Sequence, residues 1–340
     1  MGDRSLRRVA RAAIGIAISV VALVLSLRGV DLQQAVDIAL SATPAWFLAM
    51  LGFTLLDIGA RSWRWQRLVR PVAAVPYLHM AGYLTTGYLA NNVLPARLGE
   101  LVRSHYLGER EGISRTTTLG TVVVERVIDL TIVVLIASGA ILLLAVRGVV
   151  VSAVAVGLVV AGLLVLTLAG SLVAHRVPGA DRVAALLARW PLVVRLGARL
   201  RDGLAVAGRP RTLAEAVALS LAAWTFSTLA FAAAGQAIGV ELSLAQAALM
   251  ASGTALATAV PSGPGYFGTF ELAGVRIAQS FGIDADSAFA LTLLAHASVL
   301  VVTSVLGAIS LIWLTRGSGA QGARAGPAGD HGGDEAGQAG

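Results

Sequence analysis

The chain contains no cysteine and no lysine. Without cysteine there is no disulfide, no iron–sulfur cluster and no thiol nucleophile. All 26 basic residues are therefore arginine. Charge of either sign is scarce: 13% of residues are charged, about half the ~25% share of ordinary soluble domains. Long hydrophilic stretches are scarce as well. The longest, 175–211, is near the size limit below which domains seldom fold alone. Sequence signatures of enzymes are also missing: there is no H-E-x-x-H, no G-x-S-x-G and no histidine cluster for a metal.

What is present is apolar. Hydrophobic residues make up 56% of the 340 positions. A helical span needs roughly 20 apolar residues, and the candidates are 12–29, 44–60, 116–145, 149–173, 213–238 and 286–314. The first resembles a signal peptide after Arg4, Arg7, Arg8 and Arg11. No small-x-small site follows it, so it is expected to be an uncleaved span. The net charge of +7 sits in loops between spans, which is the positive-inside pattern and not a nucleic-acid surface. Arginines in the N-terminus, in a loop 61–76 (Arg61, Arg64, Arg67, Arg70), in loop 174–212 and in the tail (Arg316, Arg324) place those segments in the cytoplasm. Loops 30–43, 146–148 and 239–243 hold Asp31, Asp37 and Glu241 but one arginine, Arg147, and fall outside.

Two further segments, 77–111 and 243–281, are apolar runs that break. The first break reads Asn91-Asn92-Val93-Leu94-Pro95-Ala96-Arg97-Leu98-Gly99-Glu100, and the second runs from Val260 through Pro261, Ser262, Gly263, Pro264, Gly265, Tyr266 and Gly268 to Glu271. Each ends in a glutamate, and each precedes a Gly-Ile-polar start, Gly112-Ile113-Ser114 and Gly282-Ile283-Asp284. Glu100 precedes Glu125, and Glu271 precedes His296, by the same interval of 25 positions. Paired broken segments in two halves point to a transporter-type binding site. Their short, polar second arms predict re-entrant hairpins. The arginine count places three full spans between them, so they enter from opposite faces. The expected fold is all-α: a polytopic membrane bundle of about six spans plus two hairpins in an inverted repeat. Halves 12–173 and 213–314 form one domain, 1–315, and a Gly/Ala-rich tail, 316–340, is expected to be disordered.

Pro95 should end one helix and Ala96 begin the next, with Arg97, Glu100 and Arg103 in its first turns. A helix N-terminus flanked by Arg97 can hold a phosphate headgroup. Asn91 and Asn92 can bond headgroup oxygens or freed backbone, and Glu100 can hold Arg97, Arg103 or Arg126. The bland alternative is a proline kink whose charges pair with one another. In the second break, Gly263, Gly265 and Gly268 permit close backbone approach, and Ser262, Tyr266 and Glu271 add polar groups. The string also fits G-x-G-x-x-G, but no strand precedes it, which excludes a dinucleotide site.

Glu125, Arg126 and Asp129 share a helical patch. If the span starts at Thr116 they lie near the midplane, and if it starts at Val122 they mark an entrance. Asp57 and Arg61, spaced i,i+4, pose the same question. His296 is either a proton carrier or a bond to a neighbouring helix. Arg61, Trp63, Arg64, Trp65 and Arg67 read as an interfacial belt of indoles and snorkelling arginines. Gly235 and Gly239 fit G-x-x-x-G, a weak packing signal. Loop 175–211 is either an amphipathic helix pair on an anionic leaflet or a charged topology loop.

At Arg61-Ser-Trp-Arg-Trp-Gln-Arg-Leu, Asn92-Val-Leu-Pro-Ala-Arg-Leu-Gly-Glu100, Glu125-Arg-Val-Ile-Asp129 and Pro261-Ser-Gly-Pro-Gly-Tyr-Phe-Gly-Thr-Phe-Glu271, the chain resembles the lysylphosphatidylglycerol synthase transmembrane-region family, also called flippase-like or UPF0104. The resemblance covers about residues 10–315. It implies a membrane module that flips or binds lipid, without cofactor and without the synthase activity of the family name, because these residues include no soluble transferase domain. The implied partners are anionic membrane lipids and, in an accessory role, a lipid-modifying or glycosyl-transferring enzyme. The expected location is the plasma (inner) membrane, with both termini cytoplasmic.

Overall fold

The computed structural model describes residues 2–94, 98–145 and 210–322, with isolated positions 152, 155, 158, 159 and 162. The described residues form ten α-helices and one 3₁₀ turn, with no strand. α1 is Gly2–Ser26, α2 Leu32–Leu40, α3 Pro44–Val69, α4 Tyr77–Val93, α5 Gly99–Glu111 and α6 Arg115–Leu144. α7 is Pro210–Ala237 and α8 Leu244–Ala257. The 3₁₀ turn Pro264–Tyr266 precedes α9, Thr269–Gln279, and α10, Ala285–Gly322.

Local chemistry sets these boundaries. Asp31 caps α2 by accepting from the backbone N–H of Gln33 and Gln34. Proline opens α3, where its missing N–H costs nothing, and α2 meets α3 at a bend of 88°. Left-handed glycines close the second arm of each broken segment: Gly112 (φ 66°) after α5 and Gly282 (φ 84°) after α9. Ser114 then caps α6 through Thr117 N–H at 3.1 Å. Asp284 accepts from Ser287 N–H at 2.9 Å, a bond that holds its carboxyl below the usual carboxylate range. The two Gly-Ile-polar starts are thus one device used twice.

Three helices are long and apolar enough to cross a membrane, Thr117–Leu144, Pro210–Ala237 and Ala285–Arg316, and a fourth follows if α2 and α3 count as one bent span. None of the four hairpin arms (α4, α5, α8, α9) qualifies.

The packing repeats itself. α3 and α7 run antiparallel along their whole length. Thr43 N–H donates to the Ala237 carbonyl at 2.7 Å at one end, and Arg67 pairs with Glu215 at 3.6 Å at the other. Exchanging α3 with α7, α4 with α8, α5 with α9 and α6 with α10 maps the principal contacts among these helices onto one another. α4 lies on α10, and α8 lies on α6. Each hairpin is therefore covered by the long helix of the other half.

The hairpins enter from opposite ends. α4 runs antiparallel to α10: Asn92 bonds Thr303 at 2.9 Å, Thr85 bonds Ser310 at 3.0 Å, and the His79 and Trp313 rings lie 4.8 Å apart. The other tip reaches α10 at His296, whose ring bonds the Gly265 carbonyl. His296 lies eleven residues past Ala285, roughly 17 Å along the helix axis. Thr303 is seven residues further on, so both tips reach the middle third of that span. α4 touches the 3₁₀ turn, which brings the tips together. α1 lies along the second hairpin, and a Cβ on Gly268 would come within 2.1 Å of the Ser19 carbonyl oxygen.

Several expected boundaries move. α3 continues to Val69, so Arg61, Arg64 and Arg67 are helical and the connecting loop shortens to 70–76. Segment 30–43 contains α2. α5 begins at Gly99, not at Ala96, because the Asn91 side chain captures the Gly99 N–H at 2.7 Å. α10 carries residues 316–322 of the expected tail. Gly239 (φ 76°) closes α7 with Val240 N–H on the Gly235 carbonyl, so this G-x-x-x-G is a helix stop and not a helix–helix seam. Pro95, Ala96 and Arg97, the segment 163–209 with most of loop 175–211, all of span 149–173 but its isolated positions, and residues 323–340 lie outside the described residues.

Candidate functional site

The first hairpin closes onto a buried network of arginines and carboxylates. Arg64 of α3 is fully buried. Its Nη2 donates to Asp129 Oδ2 of α6 at 2.9 Å, its Nη1 donates to Asp129 Oδ1 and, at 2.7 Å, to Ser220 Oγ of α7. Nη2 also lies 3.2 Å from Glu125 Oε1. Arg103 of α5 grips Glu125 with both terminal nitrogens at 3.1 Å, and its guanidinium stacks 4.6 Å from the Trp65 ring centre. Arg61 holds Asp57 at 2.9 Å, approaches Asp129 at 3.5 Å and lies over Trp224 at 4.7 Å. The Trp224 indole N–H donates to Asp129 Oδ1 at 3.3 Å. α3, α5, α6 and α7 are thus pinned by one set of charge-assisted bonds.

Arg126 faces the other way. It pairs with Glu100 at 2.9 Å, and the two side chains are 48% and 25% exposed, against 1% for Glu125. The predicted patch of Glu125, Arg126 and Asp129 therefore divides: the carboxylates turn into the bundle and the arginine turns to its mouth. Among the described residues, Arg61, Arg64, Arg103 and Arg126 meet Asp57, Glu100, Glu125 and Asp129, four cations to four anions. Such balance is what a low-dielectric interior demands. Glu125 sits ten residues into α6, about 15 Å from its start.

The asparagines serve the fold. Asn91 accepts from Gly99 N–H, and Asn92 donates to Thr303 and Ser304 at 2.9 and 3.0 Å. The tip is tight as well, since a Cβ on Gly99 would lie 2.1 Å from the Gly87 carbonyl oxygen. Arg97 lies outside the described residues.

The second tip is built from backbone. Gly265 (φ 65°) and Gly268 (φ 86°) take left-handed geometry, and Gly263 N–H donates to Ser19 Oγ at 2.8 Å. Tyr266, also left-handed (φ 62°), accepts from Thr269 through its carbonyl. Glu271 Oε2 accepts from Gly268 N–H at 2.6 Å and Oε1 meets His296 Nδ1 at 2.5 Å, so His296 does bond a neighbouring helix. Phe270 stacks on the imidazole with centroids 4.2 Å apart. The Ser262 hydroxyl is buried and makes no hydrogen bond among the described residues.

The structure thus joins Arg103, Glu125 and Asp129 in one network and Gly265 and Glu271 at the opposite tip. It draws in Asp57 and Arg61, the i,i+4 pair noted in the sequence, and adds Arg64 and Ser220, which do not stand out in the sequence as site residues. Asp57, Arg61 and Arg64 lie on one helical face, one turn apart, and that periodicity was the available signal; the expected belt residues Arg64 and Trp65 are in fact buried.

A helical membrane protein with opposed, buried hairpins around a charge-balanced centre is the class this architecture defines. The family model for the lysylphosphatidylglycerol synthase TM region matches residues 12–307, and the chain belongs to that family. It is also similar to a glycosyltransferase, AglD, of Haloferax volcanii, at 27% identity over 88% of this chain and 54% of that protein. The chain therefore spans about half the length of this curated relative.

Proposed function

We propose that this protein is a flippase-like lipid transporter that takes an anionic phospholipid headgroup between its two hairpin tips. The observation that supports this most is the meeting of the tips, from opposite ends, in the middle of α10 beside the arginine–carboxylate network. Arg126 and Glu100 are the entry pair. A headgroup phosphate competes with the Glu100 carboxylate, held by one bond, for the Arg126 guanidinium, and can bond it in a two-pronged way. Arg64 and Arg103 stay bound to Asp129 and Glu125 and hold the frame. Arg97, next to Leu98 in the chain, adds a further cation. Ser262, Gly263, Gly265 and Tyr266 form the facing gate. The protein makes and breaks no covalent bond. It crosses the plasma (inner) membrane in six spans with both termini cytoplasmic.

Purified protein in liposomes carrying an anionic phospholipid with a labelled headgroup should speed its exchange between leaflets. Arg126→Ala and Arg97→Ala should each slow that exchange several-fold. No exchange above protein-free liposomes, with both variants equal to the parent, would sink the reading.

A second reading is an accessory subunit of a lipid-modifying or glycosyl-transferring enzyme. It is favoured by the glycosyltransferase relative, of which this chain matches 54%. Stable copurification of such an enzyme, with its activity indifferent to Arg126→Ala, would support it over transport.

A further inference from the structure

Both ring nitrogens of His296 face acceptors. Nε2 lies 2.9 Å from the Gly265 carbonyl, which can only accept, so Nε2 carries a hydrogen. Nδ1 lies 2.5 Å from Glu271 Oε1. The other Glu271 oxygen is already accepting from Gly268 N–H. For the Nδ1–Oε1 contact to be a hydrogen bond, a proton must lie between them. The pair is then an imidazolium against a carboxylate, or an imidazole accepting from a carboxylic acid. Both hold one proton more than a neutral imidazole beside a carboxylate.

Loss of that proton leaves no satisfactory arrangement. With the hydrogen on Nε2, the Nδ1 lone pair meets a carboxylate oxygen. With it on Nδ1, the conflict moves to the Gly265 carbonyl. Either way an unpaired negative charge remains on residues that are 1% and 2% exposed, against Phe267 and Phe270. Burying such a charge is costly, and hydration or movement relieves it.

The first tip shows the contrast. By the shared spacing of 25 positions, Glu100 and Glu125 correspond to Glu271 and His296. Their partners are Arg126 and Arg103, guanidiniums that keep their protons throughout the accessible pH range. Imidazole is the side chain that titrates near neutrality. Other titratable groups on helices packed against α10 are held elsewhere. Asp57 of α3 is bonded by Arg61, and Arg64 by Asp129. Arg211 and Glu215 of α7 pair with each other at that helix's start. His79 of α4 lies beside Trp313, while Tyr83 donates to Glu111. Arg276 of α9 reaches the Leu25 carbonyl, Asp286 at the start of α10 accepts from the Asp31 N–H, and Asp37 of α2 is exposed. Tyr88 makes no hydrogen bond to the ring among the described contacts.

We infer that Glu271 and His296 form a one-proton binding site that latches the second hairpin tip to α10, and that the tip is released when the proton leaves for solvent. The site gives the bundle one titratable tip and one permanently pinned tip, whatever molecule the bundle carries.

The cysteine-free chain allows a direct test. Ser262→Cys places a single thiol in the second tip, and Ser41→Cys, in a separate protein, places one at an exposed helix end. The ratio of their maleimide labelling rates divides out the pH dependence common to both thiols, and the same ratio in Glu271→Gln carries any difference in their ionisation. The latch predicts that this ratio rises roughly tenfold between about pH 5.5 and about pH 9. In Glu271→Gln the amide supplies an N–H to Nδ1 at every pH, so the ratio stays low and flat. A flat ratio in the parent background overturns the proposal, as does a rise that persists in folded Glu271→Gln. The parent profile leaves the pair untouched, so a flat ratio there overturns the proposal even if the glutamine variant misfolds. Labelling needs no lipid substrate, so failure here is separate from failure of the transport assay.

Discussion

Arg64 and Asp129 stand 65 positions apart in the chain, yet one guanidinium bonds both oxygens of that carboxylate at the centre of the bundle. The contact ties α3 to α6, and through Ser220 to α7. Removing one member leaves the other charged and buried, which costs about 3–5 kcal/mol, whereas replacing both with apolar groups costs far less. Arg64→Met and Asp129→Leu should therefore each lower the unfolding midpoint strongly, and the double variant should recover much of the loss. Thermal unfolding in detergent reads this directly. Additive losses would show that the two residues do not act as a pair.

Glu100 should restrain Arg126. Glu100→Gln removes the competing negative charge and frees the guanidinium for a headgroup. The expected result is tighter binding of anionic over zwitterionic lipid, and Arg126→Gln should abolish that gain. Native mass spectrometry of the purified protein with mixed lipids can count the bound species. An unchanged preference in Glu100→Gln would remove Arg126 from the site.

Glycines divide by what surrounds them. Gly99→Ala drives a methyl against the Gly87 carbonyl, and Gly268→Ala against the Ser19 carbonyl in a left-handed backbone. Overpacking and strain of this kind cost about 1–3 kcal/mol each. Gly139→Ala in α6 meets nothing within 4 Å, and in a helix interior alanine is favoured by about 1 kcal/mol. The three variants should therefore move the unfolding midpoint down, down and slightly up. Equal effects would mean that the hairpin tips are looser than their geometry indicates.

Asn91 ties the end of α4 to the start of α5. Asn91→Ala leaves the buried Gly99 N–H without its acceptor, at a cost of about 1–3 kcal/mol. Amide hydrogen exchange at the start of α5 should accelerate while α6 stays protected. Uniform exchange across both helices would assign Asn91 a global role instead.

Much of this fold can be read along the chain because its signals are local. Gly112 and Gly282 mark the turns, Ser114 and Asp284 the caps, and the long apolar runs the helices α6, α7 and α10. Glu125 and Asp129 are visible because two acids interrupt such a run. Arg64 is hidden because an arginine reads as a span's end until its anion is known, and that anion lies on another helix. The same reasoning explains the misplaced end of α3. Asn91 and Asn92 look like ligand-binding groups because their partners, a helix start and α10, come from folding and not from sequence neighbours.

The crossed cover of the hairpins has a consequence in time. Asn92 donates to Thr303, 211 positions later in the chain. At about 5–20 residues per second, synthesis of that stretch occupies roughly ten to forty seconds. Throughout that interval the first hairpin has no α10 to lie on, and its asparagine must be held by the translocation machinery, by water or by lipid headgroups. The late arrival of one helix thus closes both the fold and the period in which the nascent chain is most exposed.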